Sequence, residues 1–185
     1  MGDHTRPLSA YEWTMRVPLI WRQPGQIPAG QTIDLMVSHC DAMPTLLDWL
    51  GFADDLPRDP PRPGRSYAAA LRGKPMTGWD TAIFFEFENV RAIRTERWKL
   101  VERIHEGPTE LYDLAADPDE RQNLAADPAH RAGLDALRDR SRAFFARCAD
   151  PKWDLWNGGR SKSNLITREL FGIDNPEGAP PGPKK

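Results

Sequence analysis

Cysteine is scarce in this sequence. Cys40 and Cys148 are the two in 185 residues, and neither stands in a Cys-x-x-Cys or among histidines at zinc spacing. That excludes a zinc module of this kind and leaves the redox compartment open. Cys40 lies inside an apolar, helix-like run, where a buried inert thiol is expected. No apolar run approaches the roughly 18 residues of a membrane span, so no membrane partner is expected. The start, MGDHTRPLSAYEW, has no apolar h-region and does not read as a signal peptide. Localisation stays open, since a targeting segment would precede Met1. Long runs of one charge are absent as well. With 25 basic and 27 acidic residues, net charge is −2, which argues against a dedicated nucleic-acid partner. Hydrophobic content, 39%, is low for a compact globule.

Aromatics and turn formers are what the chain does have. Seven Trp and seven Phe supply large apolar groups, and 18 Pro with 14 Gly imply many turns. MRVPLIWR, residues 15–22, reads as a buried strand, with Pro18 placing it at an edge or a bulge. After the turn-rich QPGQIPAGQ, the run DLMVSHCDAMPTLLDWLG reads as helical in its second half. Asp41 is the expected N-cap, Pro44 sits in the first turn, and Leu46, Leu47 and Leu50 share a face ahead of Gly51. LPRDPPRPGRS, Leu56 to Ser66, is a Pro-rich bridge, either linker or ordered loop. A short helix, SYAAALRG, follows it.

The period then changes. TAIFFEFE, VRAIRTERWKLVERI and TELYDL read as strands, the middle one split by a turn near Thr95-Glu96, giving about four in an antiparallel sheet. In TELYDLAADPDERQNLA, Asp117-Pro118 is expected to start a helical turn with Glu120 completing a capping box. Asp127-Pro128 repeats the device and opens a longer helix in which Leu134, Leu137, Phe144 and Cys148 lie near one face.

The order of the parts carries a resemblance. YEWTMRVPLIWRQPGQIPAG, VSHCDAMPTLLDWLG, GRSYAAALRG, VRAIRTERWKLV and ELYDLAADPDERQNLAADP, in that order, resemble the carboxyl-terminal part of the sulfatase family, of the alkaline-phosphatase-like superfamily. The resemblance covers roughly Gly2 to Phe145. It implies hydrolysis of sulfate esters with a divalent cation, usually calcium, and a formylglycine nucleophile made within Cys/Ser-x-Pro-x-Arg. A sulfate transition state spreads negative charge over oxygens, so fixed cations stabilise it.

No Cys/Ser-x-Pro-x-Arg occurs here, and the early paired aspartates of the metal site are absent. Formylglycine and cation are therefore expected outside this chain, and Met1 reads as an internal methionine or a misplaced start. Taken alone, the chain is expected to be inactive. Gly2-Asp3-His4 is similar to the family's later Gly-Asp-His loop. Where the family places a Lys about four residues before the Tyr, this chain has Pro7, with Arg6 the nearest cation. His4 and Arg6 are thus the candidate catalytic residues; Asp3 and His4 also read as solvated residues near a terminus.

The remaining candidates have bland readings. His39 suits a capping or core role, and His105 an exposed turn. Arg91, Arg94, Arg97 and Lys99 interleave with Glu86, Glu88, Glu96 and Glu102, which suits charge pairs on a solvated face. Phe84, Phe85, Phe87 and Trp98 read as the packing face of the sheet. The expected fold is an α/β fragment, residues 1–75, ending an alkaline-phosphatase-like core, then a small α+β domain, 76–149, with a four-stranded antiparallel sheet and a packed helix. The tail, 150–185, carries Trp153, Trp156 and Phe171, expected to dock on the body, the lost half or a second subunit, which leaves a homo-oligomer open. A sulfated small molecule or saccharide is the expected ligand. A phosphatase or phosphonate hydrolase of the same superfamily, or a non-catalytic binding module derived from it, is the alternative.

Overall fold

The computed structural model describes residues 10–56, 61–87, 89–104 and 107–159. These fall into two compact units, one within residues 17–83 and one made of residues 10–16 together with 84–159. None of the described helices is long and apolar enough to cross a membrane.

The second of these units is built on a sheet of strand order β1-β2-β3-β4, comprising Ile83–Phe87, Val90–Arg94, Trp98–Arg103 and Glu110–Asp113. The split near Thr95-Glu96 is where it was expected. Thr95 Oγ1 accepts from the Trp98 amide, and the Thr95 amide donates to the Trp98 carbonyl, closing a tight turn. Strands β2 and β3 pair antiparallel with Ala92 opposite Val101 and Arg94 opposite Lys99, and β4 continues with Lys99 opposite Tyr112.

Alternate residues of a strand face opposite sides, and here both sides are covered. On one side Val90, Ala92 and Val101 form a buried cluster with Ala10, against which Met15 and Phe85 pack. Helix α1, Glu12–Met15, belongs to that cover. The other side carries helix α4, Arg131–Cys148. Phe84 stacks on Phe144 at 3.8 Å between ring centres, while its neighbour Phe85 points to the other core. The aromatics thus divide between two packing faces rather than sharing one. Asp127-Pro128 opens a 3-10 turn, Pro128–His130, that leads into α4: Asp127 Oδ1 accepts from Ala129 N at 2.9 Å. Leu134, Ser141 and Phe145 are the buried residues of α4, while Leu137, Phe144 and Cys148 are half-buried.

Asp117 does not begin a helix. Its Oδ2 accepts from the amides of Arg121 and Gln122, and Glu120 adopts φ 57°, so the segment is a side-chain-closed turn instead of a capping box. Asn123 then clasps the edge of β4: its Oδ1 accepts from Leu111 N and Ala125 N, and its Nδ2 donates to Thr109 O. That explains why Asn-Leu-Ala follows the strand so closely.

In the unit of residues 17–83, helix α2 is His39–Leu50 and α3 is Ala68–Leu71. The cap of α2 is Ser38 rather than Asp41; Asp41 is the reciprocal member of the capping box, accepting from Ser38 N at 2.7 Å. Gly51 closes the helix at φ 85°, as expected. The buried residues of α2 are Asp41, Pro44 and Thr45, not its leucines. Asp41 and Thr45 face inward, with Asp41 Oδ1 accepting from Arg65 N and Thr45 Oγ1 accepting from Tyr67 N. Met43, Leu46 and Leu50 face outward, and Cys40 is exposed, against the expectation of a buried thiol.

The segment 16–22 is not a strand. Val17 and Leu19 are exposed and Ile20 is 86% exposed. A strand is defined by its partner, and none of the described residues pairs with this one; Pro18 also removes a donor from the ladder.

Candidate functional site

Of the charges expected on a solvated face, Glu96 and Arg97 are exposed and Arg91 does pair with Glu86, but Arg91 and Lys99 are buried. Lys99 alternates with Leu100 along β3 and therefore points, with Val101, into the core on the α1 side, where it has no exposed surface. A buried ammonium needs carboxylates, and two reach it. Glu120 Oε1 lies 2.6 Å from Lys99 Nζ with its own side chain wholly buried. Glu12 Oε1 lies 3.4 Å away, and also 3.4 Å from Arg94 Nε. The backbone amide of Glu12 donates to Glu120 Oε2 at 2.8 Å. Residues 108 apart in sequence, Glu12 and Glu120, thus meet on one lysine.

Tyr11 joins the same site. It shares a hydrogen bond with Tyr112, whose hydroxyl donates to Glu110 Oε2 at 2.9 Å, and Glu110 in turn pairs with Arg103 at 2.6 Å. Burial, with the Glu110 carboxylate beside it, pushes the Tyr112 hydroxyl well above the ordinary tyrosine range. Tyr11-Glu12 is therefore fixed to the sheet at two points, one through each side chain. His4 and Arg6 lie outside the described residues, as do Asp3, Pro7, Glu88, His105 and Phe171.

Opposite, on the α4 side, Arg91 is buried between two carboxylates, Glu86 at 2.6 Å and Asp154 at 2.8 Å. The rings of Phe145 and Trp156 lie 4.1 Å and 5.1 Å from its guanidinium carbon. Residues 150–159 of the tail thus dock on the domain body, with Asp154 as the buried tie. Arg138 bridges α4 to Glu102 at 2.7 Å, and Arg97 pairs with Asp113 at the same distance in a more exposed position. That pairing holds the Asp113 carboxyl below the usual carboxylate range.

Neither cysteine nor His39 is brought into a constellation. His39 is an exposed first-turn residue of α2, Cys40 is exposed and Cys148 half-buried. Among the described residues, no three His, Cys, Asp or Glu side chains come together to hold a metal. An open groove of about 500 Å³ lies between residues 31–35 and 70–76, and Lys74 is the one ionisable side chain lining it. Such a groove offers no acid–base pair.

The sequence did carry a signal for the Lys99 site. A lysine between Leu100 and apolar neighbours, on the inward phase of a central strand, must meet carboxylates. Which carboxylates could not be read, because they lie 87 residues before it and in a turn of unrecognised conformation.

Residues 8–144 match the family model described as N-sulphoglucosamine sulphohydrolase, C-terminal. The chain is 31% identical over 118 residues to an N-acetylglucosamine-6-O-sulfatase of Bacteroides thetaiotaomicron, covering 58% of this chain and 21% of that one. Among solved structures, a phosphonate monoester hydrolase of Agrobacterium radiobacter is 30% identical with a TM-score of 0.56, over 66% of this chain and 27% of its own. A protein solved with its substrate D-glucosamine-2-N,6-O-disulfate is 26% identical with a TM-score of 0.57, over 68% and 27%. The chain therefore spans about a fifth of the curated relative it matches and about a quarter of these solved ones.

Proposed function

This chain belongs to the N-sulphoglucosamine sulphohydrolase C-terminal family, and from that membership we propose that it serves as the carboxyl-terminal part of a sulfatase acting on a sulfated saccharide. The observation that carries the reading is the family match over residues 8–144, which spans both the Tyr11-Glu12 anchor and the whole sheet. The sugar class follows the relatives: one is named for N-acetylglucosamine 6-O-sulfate chemistry, and another binds a disulfated glucosamine.

A formylglycine nucleophile and a divalent cation, calcium in the usual case, would come from sequence outside this chain. Among the described residues no three His, Cys, Asp or Glu side chains gather to hold that cation. What this chain contributes is placement. Arg6 would lie against sulfate oxygens, whose negative charge grows in the transition state, and His4 would assist proton transfer at the ester. Sheet and helix hold the entry point of that segment.

The likeness to the phosphonate monoester hydrolase favours a second reading, hydrolysis of a phosphonate or phosphate ester on the same scaffold. One assay separates them. The polypeptide as its gene encodes it, and the 185-residue chain, are each given 6-O-sulfated glucosamine and a phosphonate monoester. Sulfate release by the former and none by the latter is expected, with His4→Ala and Arg6→Ala lowering kcat. Faster turnover of the phosphonate would replace the sulfatase reading by the second one.

A further inference from the structure

Asn157 is the one asparagine of the sequence that precedes a glycine. The pair lies in the docked stretch of the tail, at the end of the short 3-10 turn Leu155–Asn157, and both residues are exposed. Gly158 takes φ 83°, a conformation glycine adopts without strain, and a Cβ there would meet nothing within 4 Å. With no side chain on Gly158, its nitrogen is unshielded towards the neighbouring Asn157 carboxamide. Ring closure joins Gly158 N to Asn157 Cγ. The Asn157 side-chain nitrogen leaves as ammonia and takes the Gly158 amide proton with it. One water then opens the succinimide to aspartate or isoaspartate, so no oxidant, reductant or enzyme enters the balance.

The same carboxamide is part of the contact that docks the tail. Asn157 Nδ2 donates to Asp154 Oδ2 at 2.6 Å, while Asp154 Oδ1 accepts from Arg91 Nη2 at 2.8 Å and from Trp156 N at 3.0 Å. Asp154 is buried, and a buried carboxylate depends on such donors. Deamidation replaces the Nδ2 donor by a carboxylate, which only accepts, against the Asp154 carboxylate. Arg91 already serves Glu86 and Asp154, so a third carboxylate adds charge that its guanidinium cannot match. Like charges in one site disfavour each other.

We propose that Asn157-Gly158 is a self-modification site, at which conversion of Asn157 to aspartate or isoaspartate releases residues 150–159 from Arg91. The tail is then a latch with a chemical clock, and loss of ammonia makes its release irreversible. While the latch is shut, the bond to Asp154 holds the carboxamide, so conversion proceeds through openings of the turn and is slow. Isoaspartate also lengthens the main chain by one carbon. That displaces Gly159, whose amide donates to Asp154 O at 2.7 Å.

The test uses the polypeptide as its gene encodes it, kept for a long period at mildly alkaline pH, then digested and weighed peptide by peptide. Asn157 should show the mass gain of an amide turned to an acid before Asn89 and Asn123, which Val90 and Leu124 follow. Asn157→Asp stands for the product. Its Trp156 amide should exchange hydrogen at least roughly tenfold faster than in fresh parent protein, with the Leu100 amide of β3 unchanged. Incubated parent should gain a fast-exchanging Trp156 population equal to its converted fraction. Asn157→Gln, whose side chain would have to close a larger and slower ring, should exchange alike before and after incubation. Conversion of Asn157 no faster than that of Asn123 overturns the proposal. So does a parent-like Trp156 exchange in Asn157→Asp, or an equal speeding at Leu100, which would mean unfolding of the unit instead of release of the tail.

Discussion

Replacing Lys99 by methionine keeps the length of the side chain and removes its charge. Methionine fills roughly the space of the lysine stem, so little cavity forms. The energetic effect is then electrostatic. Glu120, wholly buried, loses the ammonium at 2.6 Å, and Glu12 keeps Arg94, at 3.4 Å. Removing one partner of a buried ion pair typically costs about 3–5 kcal/mol, because the remaining charge is uncompensated. Both side chains of the closer pair have no exposed surface, so no discount for solvent screening applies. With a urea slope of about 2 kcal/mol/M, the midpoint should fall by roughly 2 M. Exchange of the β2 and β3 amides, followed through the transition, confines the readout to the sheet. The companion Lys99→Met/Glu120→Leu should recover part of the loss and no more, since the Glu12 amide then lacks its acceptor. A Lys99→Met loss under about 1 kcal/mol would refute the reasoning, as it would mean that water or another cation reaches Glu120.

Asn123→Ala removes three hydrogen bonds from the edge of β4 and should lower stability by about 1–2 kcal/mol, seen as faster exchange of the Leu111 amide. Gly64→Ala would set a Cβ 1.8 Å from the Cys40 carbonyl oxygen; the unit of residues 17–83 should lose cooperative melting by calorimetry. Asp113, its carboxyl held low by Arg97, stabilises the fold above the ordinary aspartate value and ceases to do so as pH falls through its lowered one. Asp113→Asn should therefore flatten the stability curve below about pH 4, measured by urea titration at each pH. Tyr112 has the opposite sign: its raised value favours the fold until pH passes about 10, where the unfolded chain ionises first. Tyr112→Phe should remove that alkaline slope.

The sheet was legible because its signals are local. Period-two runs, the Thr95 turn and the Asp127-Pro128 turn that leads into α4 depend on neighbours within a few residues, and each is where the pattern put it. Whatever depended on distant partners was not. Segment 16–22 has the composition of a strand, yet a ladder requires another strand beside it, and composition says nothing of that. Helix α2 shows the same limit. Its leucines mark a face, but burial went to Asp41 and Thr45 because Arg65 and Tyr67 offer them amides to bind. Lys99 and Arg91 looked like surface charges because interleaved acids stood near in sequence. Arg91 does pair with Glu86, one of those acids, but its other partner, Asp154, and the Lys99 partners Glu12 and Glu120 arrive from other segments. The candidates His4 and Arg6 rest on the family resemblance, and their environment lies outside the described residues.

The span of the Glu12–Glu120 contact sets a schedule for synthesis. Its two residues stand 108 apart, and a ribosome adding about 5–20 residues per second needs roughly 5–20 s to travel between them. Throughout that interval the first strands can emerge and pair, but the amino-terminal segment has no acceptor for its amide. Lys99 likewise leaves the ribosome before the carboxylate that neutralises it most closely. The sheet therefore cannot seal its α1 side until the Asp117–Glu120 turn has been made. Nascent chains halted before that turn should remain open to proteases near Glu12, and chains halted well beyond it should not.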